Sequence, residues 1–433
     1  MKVKTLQIVW HDKEPVYSLD FLGPDTLATA GGDKEIKIWH VSSGEDGHAK
    51  VEHKSTLTGH SKTVNCVRFS PDGRQMASSS DAGELLLWQP VDSSSGAKAS
   101  REFKGAESED ESCAPTWRRS AVLRGHADDI LDLAWSSDGS ALVSGSIDNK
   151  ALVWDAGDKR RGALLAQLAG HRHFVQGVAW DPAGRFVATQ SADRTCKIFG
   201  LRPPAAGKRA RSEAQDALSN STARDLYCCA TLSRRSLAEQ VEEPNGEKEV
   251  GARPERVPLF QDESVSTFFR RLAWAPDGSC LVAPLGVCTS PVTGRDAHTL
   301  FLWARGRWTA PLMHFPGHSK PVVAIRFCPV LFELPAKGHV SDEASLAPPR
   351  EAPEDLSDVP PSPFTQTYAM VFAAATLDSV AVYSTAQAAP LALLGALHYD
   401  SITDLAWSSD ARFLAVSSRD CYCSVAHFQA GEL

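Results

Sequence analysis

The chain has 433 residues, 42% of them apolar, and a formal net charge of −8. That is enough apolar material for a large core, with a charge that argues against general nucleic-acid binding and suits a basic protein partner. The ten cysteines are scattered without a CxxC pair, MKVKTLQIVW is too short and polar for a signal peptide, and no run of about 18 apolar residues occurs, so the reading is a reduced, intracellular chain with no membrane span.

In chain order, residues 3–10 alternate as a strand with no hairpin partner beside it. A first repeat follows, with VYSLDF (16–21), LATAGGD ending at Asp33 and IKIW ending at Trp39, and His11 ahead of it. The second runs from Gly59-His60 to LLLW at Trp88; Ala82 stands six residues before that Trp, and Asp81 is one residue early, which predicts a weaker His60 pairing. The third (Arg124–Asp155) and fourth (Ala169–Phe199) copies are the clearest. Their Gly-His pairs, at His126 and His171, lie 45 residues apart, and His126 to Trp154 and His171 to Phe199 each span 28. Asp148 and Asp193 each fall six before the aromatic. A Gly-His opening, alternating strands, an Asp turn and an aromatic exit at a period of about 40–45 residues make the WD40 pattern. Three looser copies follow: FRRLAWAPDGSCLVAP with TLFLW (269–303), which lacks the Gly-His; Gly317-His318 through VVAIRFCP to Tyr383; and ITDLAWSSDARFLAVSSRD with CSVAHF (402–428). The last has only three strands, so residues 3–10 are expected to supply its fourth and remove both open edges. The expected fold is all-β: one seven-bladed WD40 β-propeller over residues 1–433, closed by the N-terminal strand.

In this pattern the histidine, a strand serine, the turn aspartate and the tryptophan form a buried hydrogen-bond chain, with Ser144 the serine of the third copy. His126, Asp148, Trp154, His171, Asp193, His60, Trp88, Asp33 and Trp39 are therefore read as scaffold, because a buried polar network must have its members satisfied.

Insertions are expected at 90–115, 200–223, 234–260 and 334–364, long enough to be disordered or functional. The first carries the acidic run Glu107–Glu111, either a solvated loop or a contact for a basic partner. Between the second and third, DLYCCATL (225–232) reads as an outer strand. Lys208, Arg209 and Arg211 fit a K-R-x-R nuclear import signal or a solvated cluster.

Neither HExxH, nor a P-loop, nor a GxSxG elbow is present. His171-Arg172-His173 does not make a metal site, since the repeat already uses His171 and no third ligand is indicated. No catalytic residue, cofactor or metal is expected. A substrate receptor of a ubiquitin ligase is a second binding class, but Trp39, Trp88 and Trp154 all lack the W-D-x-R arginine of such propellers.

Details beyond the repeat are more specific. KEPVYSLDF (13–21), VQGVAWDP (175–182), STFFRRLAWAPDGS (266–279) and CPVLFEL (328–334) together closely resemble the middle, p60-type subunit of chromatin assembly factor 1. The resemblance runs from residue 1 to about Phe428. It implies a nuclear, non-catalytic propeller that works with the large and small subunits of the factor, depositing histones H3 and H4 on DNA during replication and repair, with no sequence-specific DNA contact of its own. Members of that family extend into a tail whose Arg-Arg-Ile-type motif docks Asf1. This sequence ends at Leu433 without one, and Arg270-Arg271-Leu272 falls in an expected strand, so Asf1 docking through a tail is not expected here. The alternative is a HIRA-type, replication-independent propeller; the FFRR and PVLFEL segments favour the replication-coupled family.

Aligning the seven first strands on Phe21, Phe69, Trp135, Trp180, Trp274, Phe327 and Trp407 gives a column six residues upstream, near the rim of the central channel. It reads Pro15, Thr63, Asp129, Phe174, Phe268, Pro321 and Ser401. Phe174 and Phe268 are the apolar aromatics of this column, on adjacent blades, with Arg172 and Arg270 two residues away. Aromatics with arginine dominate binding hot spots, so Phe174, Phe268, Arg172 and Arg270 form the candidate partner surface. The alternative is that each ring plugs its own blade.

Overall fold

A computed structural model describes residues 1–91, 117–158, 160–201, 226–236, 256–289, 296–334, 366–387, 389–429 and 431–433. These residues form seven four-stranded antiparallel sheets and one small two-stranded sheet. Six blades are continuous in sequence, over residues 16–57, 64–124, 130–168, 175–232, 273–318 and 322–395. The seventh consists of Ile402–Trp407, Phe413–Ser418 and Cys423–His427, completed by strand β1, Lys2–Leu6. β1 pairs antiparallel with Cys423–His427, from Lys2 opposite His427 to Leu6 opposite Cys423. The ring closes as the sequence implies, but with a shorter strand than residues 3–10. Beyond Leu6 the chain turns inward and buries Trp10 against Trp39, ring centroids 4.7 Å apart.

The core is distributed between the blades, because both faces of each sheet are covered by neighbours. In the third strand of blade one, Ile36 and Ile38 pack towards blade two, while Trp39 and Val41 pack with blade seven and β1. A register shift between Ile38 and Trp39 accommodates the change of face.

The outer strand of blade four is Leu226–Leu232, as the DLYCCATL segment predicts. The expected disordered insertion 234–260 requires correction at both ends. Arg234–Ser236 and Arg256–Pro258 pair as a two-stranded sheet, and Leu259 and Phe260 are buried in the core between blades four and five. The flanking strands extend over Pro90, Gly200 and Leu201, which the expected insertions had included. The acidic run 107–111 and the basic cluster 208–211 lie outside the described residues.

Candidate functional site

The first strand of each blade lines the central axis. Six of the seven carry the same irregularity, a one-residue register shift just after their first residue, as between Val16 and Ser18 or Ile402 and Asp404. It turns one layer of side chains onto the axis. That layer stands three residues before the aligned aromatic and reads Ser18, Cys66, Asp132, Gly177, Arg271, Ala324 and Asp404. Four are small, which leaves the axis to three charged residues.

Arg271 fills the axis. Its Nη1 lies 2.7 Å from Asp404 Oδ2 and its Nε 3.4 Å from Asp132 Oδ1. The same guanidinium donates to the carbonyls of Tyr17, Thr403 and Asn65 at 2.9–3.1 Å. One side chain from blade five thus ties together blades one, two, three and seven. The Phe269 ring centroid lies 3.9 Å from its Cζ, and Tyr17 meets that ring edge-on. Two residues further along their strands, Arg68 and Arg326 reach the same Asp404, at 2.8 and 3.3 Å. Burial works against the charge on Arg68, but Asp404, Asp132 and Asp20 around it hold its pKa up. Burial pushes the Asp132 carboxyl up despite Arg271 and Arg68.

Blade five departs from its neighbours to do this. Its first strand is only Ala273–Trp274, and the preceding residues bond sideways to the adjacent blades. Arg270 N–H donates to Gln176 O, Arg271 N–H to Val323 O, and Arg271 O accepts from Ile325. The approach to blade four is so close that a Cβ at Gly177 would stand 1.9 Å from Arg270 O, so only glycine fits there.

Above this plug lies the mouth of the channel. Phe174 and Phe268, at the head of this region, are 40% and 56% exposed. Gln176 links their segments, its amide donating to the carbonyls of Thr267 and Phe268. Arg172 is exposed. Arg270 is not available to a partner, which corrects the sequence expectation. It is 1% exposed, with Nε donating to Gln176 Oε1 and its Nη atoms to the carbonyls of Gln261 and Asp262, and burial pulls its pKa down to about 10. It holds the FFRR segment in place. A small pocket beside Phe268 is lined by Tyr17, Phe269, Leu377, Ile402 and Arg419.

The histidines are enclosed within their blades. Trp154 Nε1 donates to Ser144 Oγ at 2.8 Å, Ser144 Oγ lies 2.7 Å from His126 Nε2, and His126 Nδ1 lies 2.9 Å from Asp148 Oδ2. Indole can only donate and carboxylate only accept, so the direction of this chain is fixed. Burial alone would raise the Asp148 carboxyl; the His126 bond pulls it to about 2. Blade one repeats the chain with Trp39, Thr29, His11 and Asp33. Blade four does so with Thr189, His171 and Asp193, where Phe199 brings no donor. In blade two, His60 and Trp88 share Ser78, but His60 Nδ1 is buried without a hydrogen-bond partner because Asp81 accepts from Asn65 instead. Burial and the nearby Arg119 take His60 down to about 4. The sequence reading missed the seventh: His398 pairs with Asp420 at 3.0 Å, and its Nε2 meets Ser424 Oγ, which in turn contacts Thr5 of β1. The 22-residue spacing from His398 to Asp420, the same as from His126 to Asp148, would have found it.

The family described as the CAF1B/HIR1 β-propeller domain matches residues 1–229 and 212–433. A rice protein named chromatin assembly factor 1 subunit FAS2 homolog is 39% identical over all of this chain and 74% of its own length. A chicken protein, also named as a chromatin assembly factor 1 subunit, is 38% identical over all of this chain and 68% of its own. Protein hir1 of Emericella nidulans is more distant, 30% identical over 96% of this chain but only 35% of its own length.

Proposed function

We propose, from the premise that the chain belongs to the CAF1B/HIR1 β-propeller family, that it is the propeller subunit of a chromatin assembly complex. In this reading it is a non-catalytic scaffold that holds its partners while histones H3 and H4 are deposited on DNA during replication and repair. The observation that carries the choice is the match across the whole chain to relatives named as chromatin assembly factor 1 subunits. The lower identity and coverage of the HIR1 relative speak against the replication-independent alternative. A scaffold role is also what the polar chemistry supports: the histidine–aspartate pairs are closed off by hydroxyls of their own blades, and the charged axis is buried under Phe269.

The large and small subunits of the assembly factor are the partners in this reading, with histones reached directly or through the complex. Exposed Phe174 and Phe268, with Arg172 beside them, form the capture surface. Phe174→Ser combined with Phe268→Ser is expected to weaken capture of the large subunit or of histones H3–H4 at an unchanged melting temperature. Undiminished binding by a well-folded double variant rules the surface out. The nucleus is the proposed compartment, with Lys208, Arg209 and Arg211 serving import. Changing all three to Ala should move a tagged chain towards the cytoplasm, and an unmoved chain would show that they do not carry it there.

A further inference from the structure

The mouth of the channel has two unlike halves. The column that begins the innermost strands is followed by a second ring, placed by one repeated bond. The carbonyls of Pro15, Thr63, Asp129, Phe174 and Ser401 accept from the amides of Gly32, Asp81, Ile147, Ala192 and Arg419. Around these rings, blades four to six present exposed Phe174 and Phe268 and half-buried Leu377, with a small pocket between Phe268, Leu377 and Tyr17. Blades seven, one, two and three present Asp400, Glu14, Asp81, Asp128 and Asp129.

These carboxylates lie close enough to act on one another and on the pocket. Burial raises the Tyr17 hydroxyl; Arg419 opposes this, and Asp81, Glu14 and Asp400 all add to it. Burial also raises the Asp129 carboxyl, followed by repulsion from Asp81, with Asp128 adding and Lys62 opposing. Three cations stand in the arc: Lys13 beside Glu14, Lys62, whose Nζ is committed to the Asp81 carbonyl at 3.1 Å, and Arg419. On the other side Arg172 and Lys320 are exposed, and His173 is paired with Glu263 at 3.3 Å. Within the arc five carboxylates therefore stand against three cations, with the exposed aromatic surface beyond it.

We infer that the channel mouth docks an extended, lysine- or arginine-rich segment of a partner protein, with one apolar side chain of that segment lying over the exposed Phe268 ring. This rests on reading the mouth as a partner surface, and it names the chemistry of the occupant. Basic side chains relieve the repulsion along the carboxylate arc, and the apolar one covers Phe268. A nucleic-acid strand does not fit, since its phosphates would face the carboxylates.

The test is fluorescence anisotropy with the full chain and a labelled synthetic peptide of alternating Lys and Ala with one central Leu. Binding is expected, and raising the salt should weaken it. Glu14→Gln with Asp129→Asn and Asp400→Asn should weaken it about tenfold or more, and Phe268→Ser should weaken it separately. All variants should melt like the parent. A Glu-for-Lys peptide and a labelled single-stranded oligonucleotide should not bind. The inference is overturned if the triple variant binds the Lys peptide as the parent does, if either control binds as well, or if the parent does not bind at all. Assembly with the large subunit is read in a separate reconstitution, so these failures would leave the scaffold role standing.

Discussion

Asp404 is the residue on which the channel is balanced. Three guanidiniums, Arg68, Arg271 and Arg326, converge on its two oxygens. Replacing one partner of a buried ion pair strands the others, at about 3–5 kcal/mol. Arg271→Met should therefore lower the urea midpoint strongly. Arg271→Lys should rescue little, because an ammonium cannot span three carbonyls and two carboxylates. A near-parental Arg271→Lys would mean that the charge alone matters.

His60 gives a second, opposite prediction. In blade two the amide of Ala82 donates to Ser80 Oγ at 3.2 Å, as Asp148 does to Ser146 and Asp193 to Ser191 in their turns. Ala82→Asp should therefore aim a carboxylate at the unpartnered His60 Nδ1 and stabilise the fold by about 1 kcal/mol. The sign with pH follows from the depressed histidine. Its folded pKa of about 4 lies below an unfolded value of about 6.5, so in the parent stability is lost as pH falls between these values. The new carboxylate removes part of that loss, and the advantage of the variant should widen from about pH 7 to about pH 5. Equal urea midpoints at both pH values would show that the turn does not accept the pair. His60 and Ala82 were legible in the sequence, because fixed spacings located both. Arg271 was not: the alignment was read six residues before the aromatic, as a rim, and not three before, where one arginine and two aspartates stand among small residues. Charge on a propeller axis becomes visible only once all seven strands are brought to one point.

At the level of the element, β1 carries the closure. Its Thr5 Oγ1 bonds Ser424 Oγ and the Leu397 carbonyl, joining the N-terminus to the His398 chain of blade seven. Deleting residues 1–6 would expose Cys423–His427 as an unpaired edge and open Val3 and Leu6 from their packing. Aggregation or a much lower melting temperature is expected, and a monodisperse, equally stable deletion would contradict closure by β1. Its pairing could be inferred from the count of strands, since a three-stranded last blade and an unpartnered first strand leave one solution. Its end could not, because Ile8 and Trp10 continue the alternation but pack instead against the blade one–blade seven core. The ordered ends of 234–260 were hidden for a similar reason: Leu259 and Phe260 belong to the core between blades four and five, which no local pattern in that insertion reveals.

As a whole molecule, the described residues form a closed ring of seven blades whose axis is filled by Arg271 of the FFRR segment, and the mouth over that plug is the proposed partner surface. Membership of the CAF1B/HIR1 family, and 38–39% identity over the full chain to proteins named as chromatin assembly factor 1 subunits, frame the test of that surface. The most direct measurement is reconstitution: the purified chain is mixed with the large subunit of the assembly factor and with histones H3–H4, and the products are sized by light scattering, with parent and Phe174→Ser/Phe268→Ser chains compared. A stable complex with the large subunit that the double variant loses while staying folded is the predicted result. Failure of the folded parent to join the large subunit would contradict the account.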